Sequence, residues 1–373
     1  MKKETITSST IRQSNQSKIY RVIYQEKQTS KQEIVNKTGI SLPTITYNLD
    51  NFEKNGLIKR NKTFASTGGR KATVIACNSL VKIAIGVEIA ETFINIIAID
   101  LYGNVINKQS LDIMFENSEI YYKEVSDTIQ IILKTFPKKS ILGIGIAIQG
   151  LISKDGSTVT YGEILNCTGL HIDVFQKHLS FPCTFIHDAK AAAISEIWFG
   201  KQIKDAMYLS LSRNLGGAII LNNEVYEGDF LPGGLFEHMT IVDDGEPCYC
   251  GKKGCLEAYC DANVLLKDFD TLDNFFFALS KQDIVAIETW QTYLHYLSIG
   301  IHNIAMVLGC HIILGGQLSK YITNQDISYI KKQLTAISSF TKEQDSLVIA
   351  NRTTEAIVIG AALPLIKDYL ESI

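Results

Sequence analysis

Residues 248–257 read CYCGKKGCLE, and His238 stands one short segment upstream of them. Three thiolates and one imidazole, from Cys248, Cys250, Cys255 and His238, make up the Cys₃His donor set of a closed, four-coordinate zinc site. Gly251 and Gly254 between the cysteines let the chain fold tightly around an ion. The competing reading is three buried or redox-active thiols, although a free cluster of that kind would be prone to oxidation. The chain has eight cysteines, and these three crowd into 248–255 instead of spreading as a disulfide framework. In a chain whose start shows no export signal, clustering favours metal over disulfides, so a structural Zn²⁺ is the expected cofactor.

Outward from this loop the sequence alternates short apolar runs with helical patterns. Ile83–Val87, Ile94–Asp100, Ile141–Ile148, Cys183–Ile186, Met207–Leu211, Ala218–Leu221 and His311–Leu314 read as strands, with Ser126–Thr135 and Tyr293–Val307 among the helices. Turns such as Tyr102-Gly103-Asn104 and Asn222-Asn223 separate strands, and the whole reads as a mixed α/β body of two lobes. A length of 373 residues with 46% hydrophobic residues suits two or three domains with cores of their own. The start, MKKETITSST, lacks the apolar middle of a signal peptide, and no long uncharged apolar stretch follows. The expectation is a cytoplasmic protein with no membrane partner.

The net charge of −3 conceals a division. Residues 1–72 carry 14 Lys and Arg against 5 Asp and Glu, a net +9, while the remainder carries 22 against 34, a net −12. A basic head on an acidic body points to a polyanion such as DNA as the partner of the head. Within the head, Ile19, Val22 and Ile23 recur at helical spacing in a first helix from Asn15 to about Gln28. Ser30 to Lys37 forms a second helix, with Ser30 as N-cap, Glu33 as its capping-box partner and Gly39 closing it. Ser41 caps a third, in which Pro43 is tolerated in the first turn and Ile45, Leu49 and Phe52 form the buried face.

That order is a helix-turn-helix, and Ser41, Thr44, Thr46, Tyr47 and Asn48 lie near the start of the third helix, where base edges are read. The strand-like run Gly56–Arg60, the polar tip Gly68-Gly69-Arg70-Lys71 and a returning strand from Ala72 to Ala76 read as a wing that brings Arg70 and Lys71 to a groove or to phosphates. The alternative is a three-helix interaction module.

The stretches TGISLPTITYNLDNFEKNGLI (38–58) and STGGRKA (66–72) resemble the winged-helix head of repressors in the ROK family, which comprises repressors, open reading frames and kinases. LGGAIILNNEVYEGDFLPGGLFEHMTI (215–241) leading into the cysteines resembles the family's signature region. GIGIAIQGLI (143–152), HDAKAAAISEIWFG (187–200), IILGGQLS (312–319) and IGAAL (359–363) resemble further landmarks. The resemblance implies a winged helix-turn-helix at 1–76, followed by a two-lobed actin/hexokinase-like (ribonuclease H-like) body. Lobe 1 would span 80–190 with a returning helix at 355–373, and lobe 2, with the zinc site, 191–354.

The same resemblance assigns a sugar pocket. Active relatives hold a hexose with an Asn-Asp pair, a Glu and a His in a Gly-Glu-x-Gly-His run, and a Glu after the last zinc cysteine. The matching positions here are His187-Asp188, Gly234-Leu235-Phe236-Glu237-His238 and Glu257, with Asn166 where the family supplies another sugar-facing Asn. Asn166 serving only its own turn is the alternative reading. Asp188 occupies the place of a kinase's general base. Leu235 removes a carboxylate, which implies a ligand differing from glucose by a lost or modified hydroxyl.

The family's kinases wrap ATP phosphates with Asp-x-Gly-Gly-Thr and Gly-Thr-Gly-x-Gly-Gly turns, whereas this chain has Glu88-Ile89-Ala90-Glu91-Thr92 and Ser212-Arg213-Asn214-Leu215-Gly216-Gly217. Side chains crowding the phosphates, and repulsion from Glu91, lead to the expectation of a non-enzyme. It would be a sugar-responsive repressor binding operator DNA as a homodimer or higher oligomer, with a ROK sugar kinase as the rival.

Overall fold

A computed structural model of the chain describes residues 8–63, 73–200, 203–229, 233–337, 347–351 and 355–373. The head contains helices Ser8–Glu26, Lys31–Thr38 and Leu42–Lys54 and a small antiparallel sheet in the order Gln28–Thr29, Thr73–Cys77, Ile58–Thr63. Ser30 Oγ accepts from the Glu33 amide at 3.2 Å, as its capping position requires. Glu33 does not complete the capping box, because its carboxylate accepts from Thr29 Oγ1 at 2.8 Å. Gly39, at φ +67°, ends the second helix by donating to Val35 O, a left-handed conformation that glycine adopts without steric cost. Ile19, Ile23, Ile34, Ile45, Leu49, Phe52 and Ile75 close into one core. The first helix begins at Ser8, ahead of the expected Asn15, in a polar stretch where apolar spacing gives no signal.

The body consists of two five-stranded sheets with the same strand plan. In the first, Ile83–Ile89, Phe93–Ile99 and Val105–Asp112 form an antiparallel meander, and Ile141–Ile148 and then Cys183–His187 add in parallel beside its first strand. In the second, Ala206–Ser210, Gly216–Leu221 and Glu224–Val225 form the meander, and His311–Gly315 and Leu347–Ile349 add in parallel. This repeated plan gives the two-lobed α/β body expected from the sequence. Helix Glu119–Leu133 covers the outer face of the first sheet, and helices Ile284–Leu308 and Asn324–Ile337 cover that of the second.

Between the sheets lie two helices, Asp188–Phe199 and Ala356–Ser372, packed on each other. Their approach depends on missing side chains: a Cβ on Gly145 would stand 1.8 Å from Ala361 O, and one on Gly360 1.7 Å from Ala191 O. The C-terminal helix continues to the head, where Leu370 and Ile373 pack against its core. The Tyr24 ring from the first head helix stacks on Tyr102 of the body at 4.8 Å, and Tyr24 Oη donates to Leu101 O at 2.7 Å. Among the described residues no helix is long and apolar enough to cross a membrane.

Candidate functional site

The four residues singled out as metal ligands converge. The ligand atoms of His238, Cys248, Cys250 and Cys255 lie within 4.8 Å of one another. Cys250 Sγ and Cys255 Sγ are 3.7 Å apart, and Cys248 Sγ is 3.7 Å from His238 Nδ1. Zn–S bonds of about 2.3 Å at tetrahedral angles place two sulfurs about 3.8 Å apart, so the two 3.7 Å pairs already match a zinc ion and the wider-set donors, up to 4.8 Å apart, would close in around it. The loop is tied by Cys248 N–H to Lys252 O and Gly254 N–H to Glu246 O, both at 2.8 Å. At Gly254, with φ +75°, a Cβ would meet Val242 O at 1.7 Å, so this turn admits only glycine. With Nδ1 turned to the thiolates, His238 Nε2 faces Tyr249 Oη at 3.3 Å, and that contact orients the ring. Four protein ligands leave no open position, so a zinc ion here would brace the loop.

The braced loop forms one wall of a cleft at the carboxyl ends of the parallel strands Ile141–Ile148 and Cys183–His187. Its lining includes Gln149, Tyr161, Glu163, His187, Asp188, Asn214, Leu235, Glu237, His238 and Tyr249. Asp188 begins its helix and accepts from the Ala189 amide at 2.7 Å, while His187 Nε2 lies 3.5 Å from Asp188 Oδ1. Burial holds His187 below the ordinary histidine range. Glu257 accepts from the Leu215 amide at 2.7 Å and from Asn214 Nδ2 at 3.0 Å; burial still pushes it up to about 7. Burial likewise pushes Glu237 up to about 8, with Glu257 and Asp188 adding to the rise.

His187, Asp188 and His238 therefore face one cleft, and Glu257 supports it through Asn214 and Leu215. Asn166 stands apart: it is exposed, turns the chain at φ +47°, and does not line the cleft. Glu237, Tyr249 and Gln149 went unnoticed in the sequence. Glu237 carried a signal, a carboxylate where the resemblance places glycine.

On the head, Ser41, Thr44 and Tyr47 lie toward solvent, and Ser41 Oγ bonds Thr44 Oγ1 at 2.9 Å instead of capping the backbone. Thr46 Oγ1 accepts from Lys31 Nζ at 3.4 Å. Asn48, expected among the outward residues, faces inward: it is buried and donates to Thr44 O at 2.8 Å. Arg12 from the first helix lies over the Tyr47 ring at 5.0 Å and hydrogen-bonds its hydroxyl, a neighbour that the sequence did not reveal. Arg60 is spent internally on Asp50 and Glu53, at 2.7 and 2.6 Å. Arg70 and Lys71 lie outside the described residues.

Comparison with known proteins matches these two parts to two family models. Residues 12–59 match a winged helix-turn-helix DNA-binding model, and residues 84–368 match the ROK family model. The chain belongs to the ROK family. It is 28% identical over 310 residues to a xylose repressor from Bacillus subtilis, covering 79% of each chain. Its fold superposes with a TM-score of 0.77, at 21% identity and 96% coverage of each chain, on a ROK family transcriptional regulator described as a homolog of the E. coli MLC protein. A ROK family glucokinase from Streptomyces griseus, solved with glucose and AMPPNP, superposes with a TM-score of 0.64 at 23% identity, covering 76% of this chain and 98% of the other.

The expectation of a non-enzyme is corrected by this last likeness. The body shares its architecture with a solved glucokinase and a solved hexokinase across nearly their whole length. Glu91 is not the uncompensated charge expected either, because its Oε2 lies 2.8 Å from Arg213 Nη1. The two altered turns are thus joined to each other, and Gln149 Nε2 donates to Asn214 Oδ1 at 3.3 Å in a second link of the same region.

Proposed function

We propose that this ROK family member is a sugar-responsive DNA-binding regulator whose head docks on operator DNA and whose cleft binds an unphosphorylated sugar. The observation that carries this reading is the joint between the two parts. Helix Asp188–Phe199 starts in the cleft with Asp188 and ends where Trp198 Nε1 donates to Tyr102 O at 3.2 Å. The Tyr102 ring in turn stacks on Tyr24 of the head. A sugar that binds Asp188 and shifts this helix changes the seating of the head, and DNA affinity follows by the differential binding energy. Likeness to a xylose repressor supports a pentose as the first sugar to test, in keeping with Leu235 in place of a sugar-facing carboxylate. Symmetric reading of a palindromic operator requires a two-fold dimer.

The test is gel retardation of the DNA upstream of the gene, with D-xylose, D-glucose and N-acetyl-D-glucosamine in turn. The expected result is a complex that weakens steeply as salt rises and changes affinity about 5–150-fold with one sugar. A complex that no sugar alters, or none at low salt, overturns the reading. A second reading, sugar phosphorylation, is favoured by Asp188 at the cleft floor within a kinase architecture. Sugar-dependent ADP release that Asp188→Asn abolishes would establish it.

A further inference from the structure

Among the described residues lining the cleft, one carboxyl oxygen is buried without a partner. Asp188 and Glu257 hold the hydrogen bonds described above, and Glu163 is exposed. Glu237 is only 3% exposed, and its Oε2 is fully buried with no hydrogen-bond partner. It is the one such orphaned side-chain atom among the described residues that line the cleft. A buried carboxyl oxygen left without a partner bears its full desolvation penalty, so its retention calls for a group that satisfies it.

The local sequence indicates what that group is. Residues Phe236–His238 form a single 3₁₀ turn preceded by Leu235, and both Leu235 and Glu237 reach the cleft. The resemblance places a carboxylate at 235 and glycine at 237, so in this chain the carboxyl has moved two positions along the same turn. Among the described residues no lysine or arginine lines the cleft, whereas Glu163 and Asp188 do. A ligand phosphate or carboxylate would meet the Asp188 and Glu163 carboxylates uncompensated, while a hydroxyl supplies the missing donor.

We infer that Glu237 is the specificity-determining residue of the cleft, accepting a hydroxyl of a neutral, unphosphorylated sugar in place of the carboxylate lost at Leu235. This rests on the sugar-binding reading above. It makes Glu237 a contact of the ligand rather than a support of the zinc loop.

The test uses the full-length, zinc-loaded protein and calorimetric titration with D-xylose, D-glucose, N-acetyl-D-glucosamine and D-glucose 6-phosphate, followed by single-deoxy analogues of the sugar that binds best. Glu237→Gly and Glu237→Gln are compared with the parent, and zinc content and sugar-free melting serve as controls. The expected result is a 10–100-fold loss of affinity in Glu237→Gly, with one deoxy analogue that binds more weakly than the sugar to the parent and equally well to the variant. Glucose 6-phosphate binds the parent poorly. Unchanged sugar affinity in both variants overturns the role of Glu237 while leaving sugar binding intact. If no neutral sugar binds the parent, the sugar reading itself fails and this inference with it. Should Glu237→Gly lose zinc or fail to fold, Glu237→Gln decides: it preserves size, and full affinity in it for both the sugar and every deoxy analogue overturns the proposal.

Discussion

Two helices of nearly equal length hold candidate residues of the head and of the cleft, and they are built in opposite ways. Leu42–Lys54 in the head has 13 residues, buries Ile45, Asn48, Leu49 and Phe52 on one stripe, and leaves Leu42, Pro43 and Tyr47 in water. Asp188–Phe199 in the body has 12 residues and is enclosed by both sheets and the C-terminal helix, burying Ala189, Lys190, Ala191, Ala192, Ala193, Ser195 and Glu196. An enclosed helix needs small residues for close approach and a partner for each buried charge. Lys190 pairs with Glu227, and Glu196 accepts from the backbone and side chain of Asn351, each at 2.9 Å. The exposed helix can meet a partner with its surface. The enclosed one can meet a ligand only at its amino end, where Asp188 lines the cleft.

Removal of the metal should separate the two helices most sharply. Zinc contributes on the order of 10 kcal/mol or more in small structural sites, and here it would brace only the body. Chelation, or Cys255→Ser at a fully buried ligand position, is expected to cost the body about 5 kcal/mol or more while the head melts unchanged. Calorimetry checks this. A single transition that shifts as a whole would show that the two helices belong to one cooperative unit, and the contrast between them would collapse.

A gentler change probes the joint. Trp198→Phe removes the hydrogen bond to Tyr102 O while keeping an aromatic ring in place. The loss is about 1 kcal/mol, enough to reduce a sugar-induced change in DNA affinity roughly five-fold. Sugar affinity and sugar-free DNA affinity should both survive. Equal coupling in parent and variant would remove this helix from the route and leave the C-terminal helix, through Leu370 and Ile373, as the connection.

The same contrast explains what could be read in the sequence. The exposed helix announces itself, since Ile45, Leu49 and Phe52 recur at helical spacing behind Ser41 and Pro43. Asn48 escaped that reading because a buried asparagine that bonds the turn below it looks, by composition, like any outward polar residue. The enclosed helix shows almost no periodicity, and only the run HDAKAAAISEIWFG, by resemblance, located it. Strand Val105–Asp112 was missed because it lies at a sheet edge and alternates half-exposed and exposed residues. The zinc donors were legible because four strong ligands fall within one short stretch. The Glu91–Arg213 pair was not, since only the folded body brings those two turns together. Glu237 stands in the sequence two positions after Leu235, but only the folded turn shows that both side chains reach the same cleft.

The smallest expected effect concerns protons, and it too falls on one helix only. All seven histidines lie in the body, and His187 at the start of the enclosed helix is buried, which depresses its pKa below the ordinary 6.5. Asp188 opposes that shift and Lys190 reinforces it. Below about pH 6.5 the unfolded chain takes up a proton at this site that the folded body refuses. The contribution of His187 is therefore complete above that pH and is lost as pH falls, by at most about 1.4 kcal/mol per unit. His187→Asn, which restores the residue that the family resemblance places there, should flatten this part of the slope between pH 6.5 and 5 without changing stability at pH 8 by more than the local packing requires. The head, lacking histidine, should show no matching slope in either protein. Identical pH profiles for parent and variant would mean that the folded cleft admits the proton, and the enclosed helix would then be more open to water at its amino end than its burial indicates.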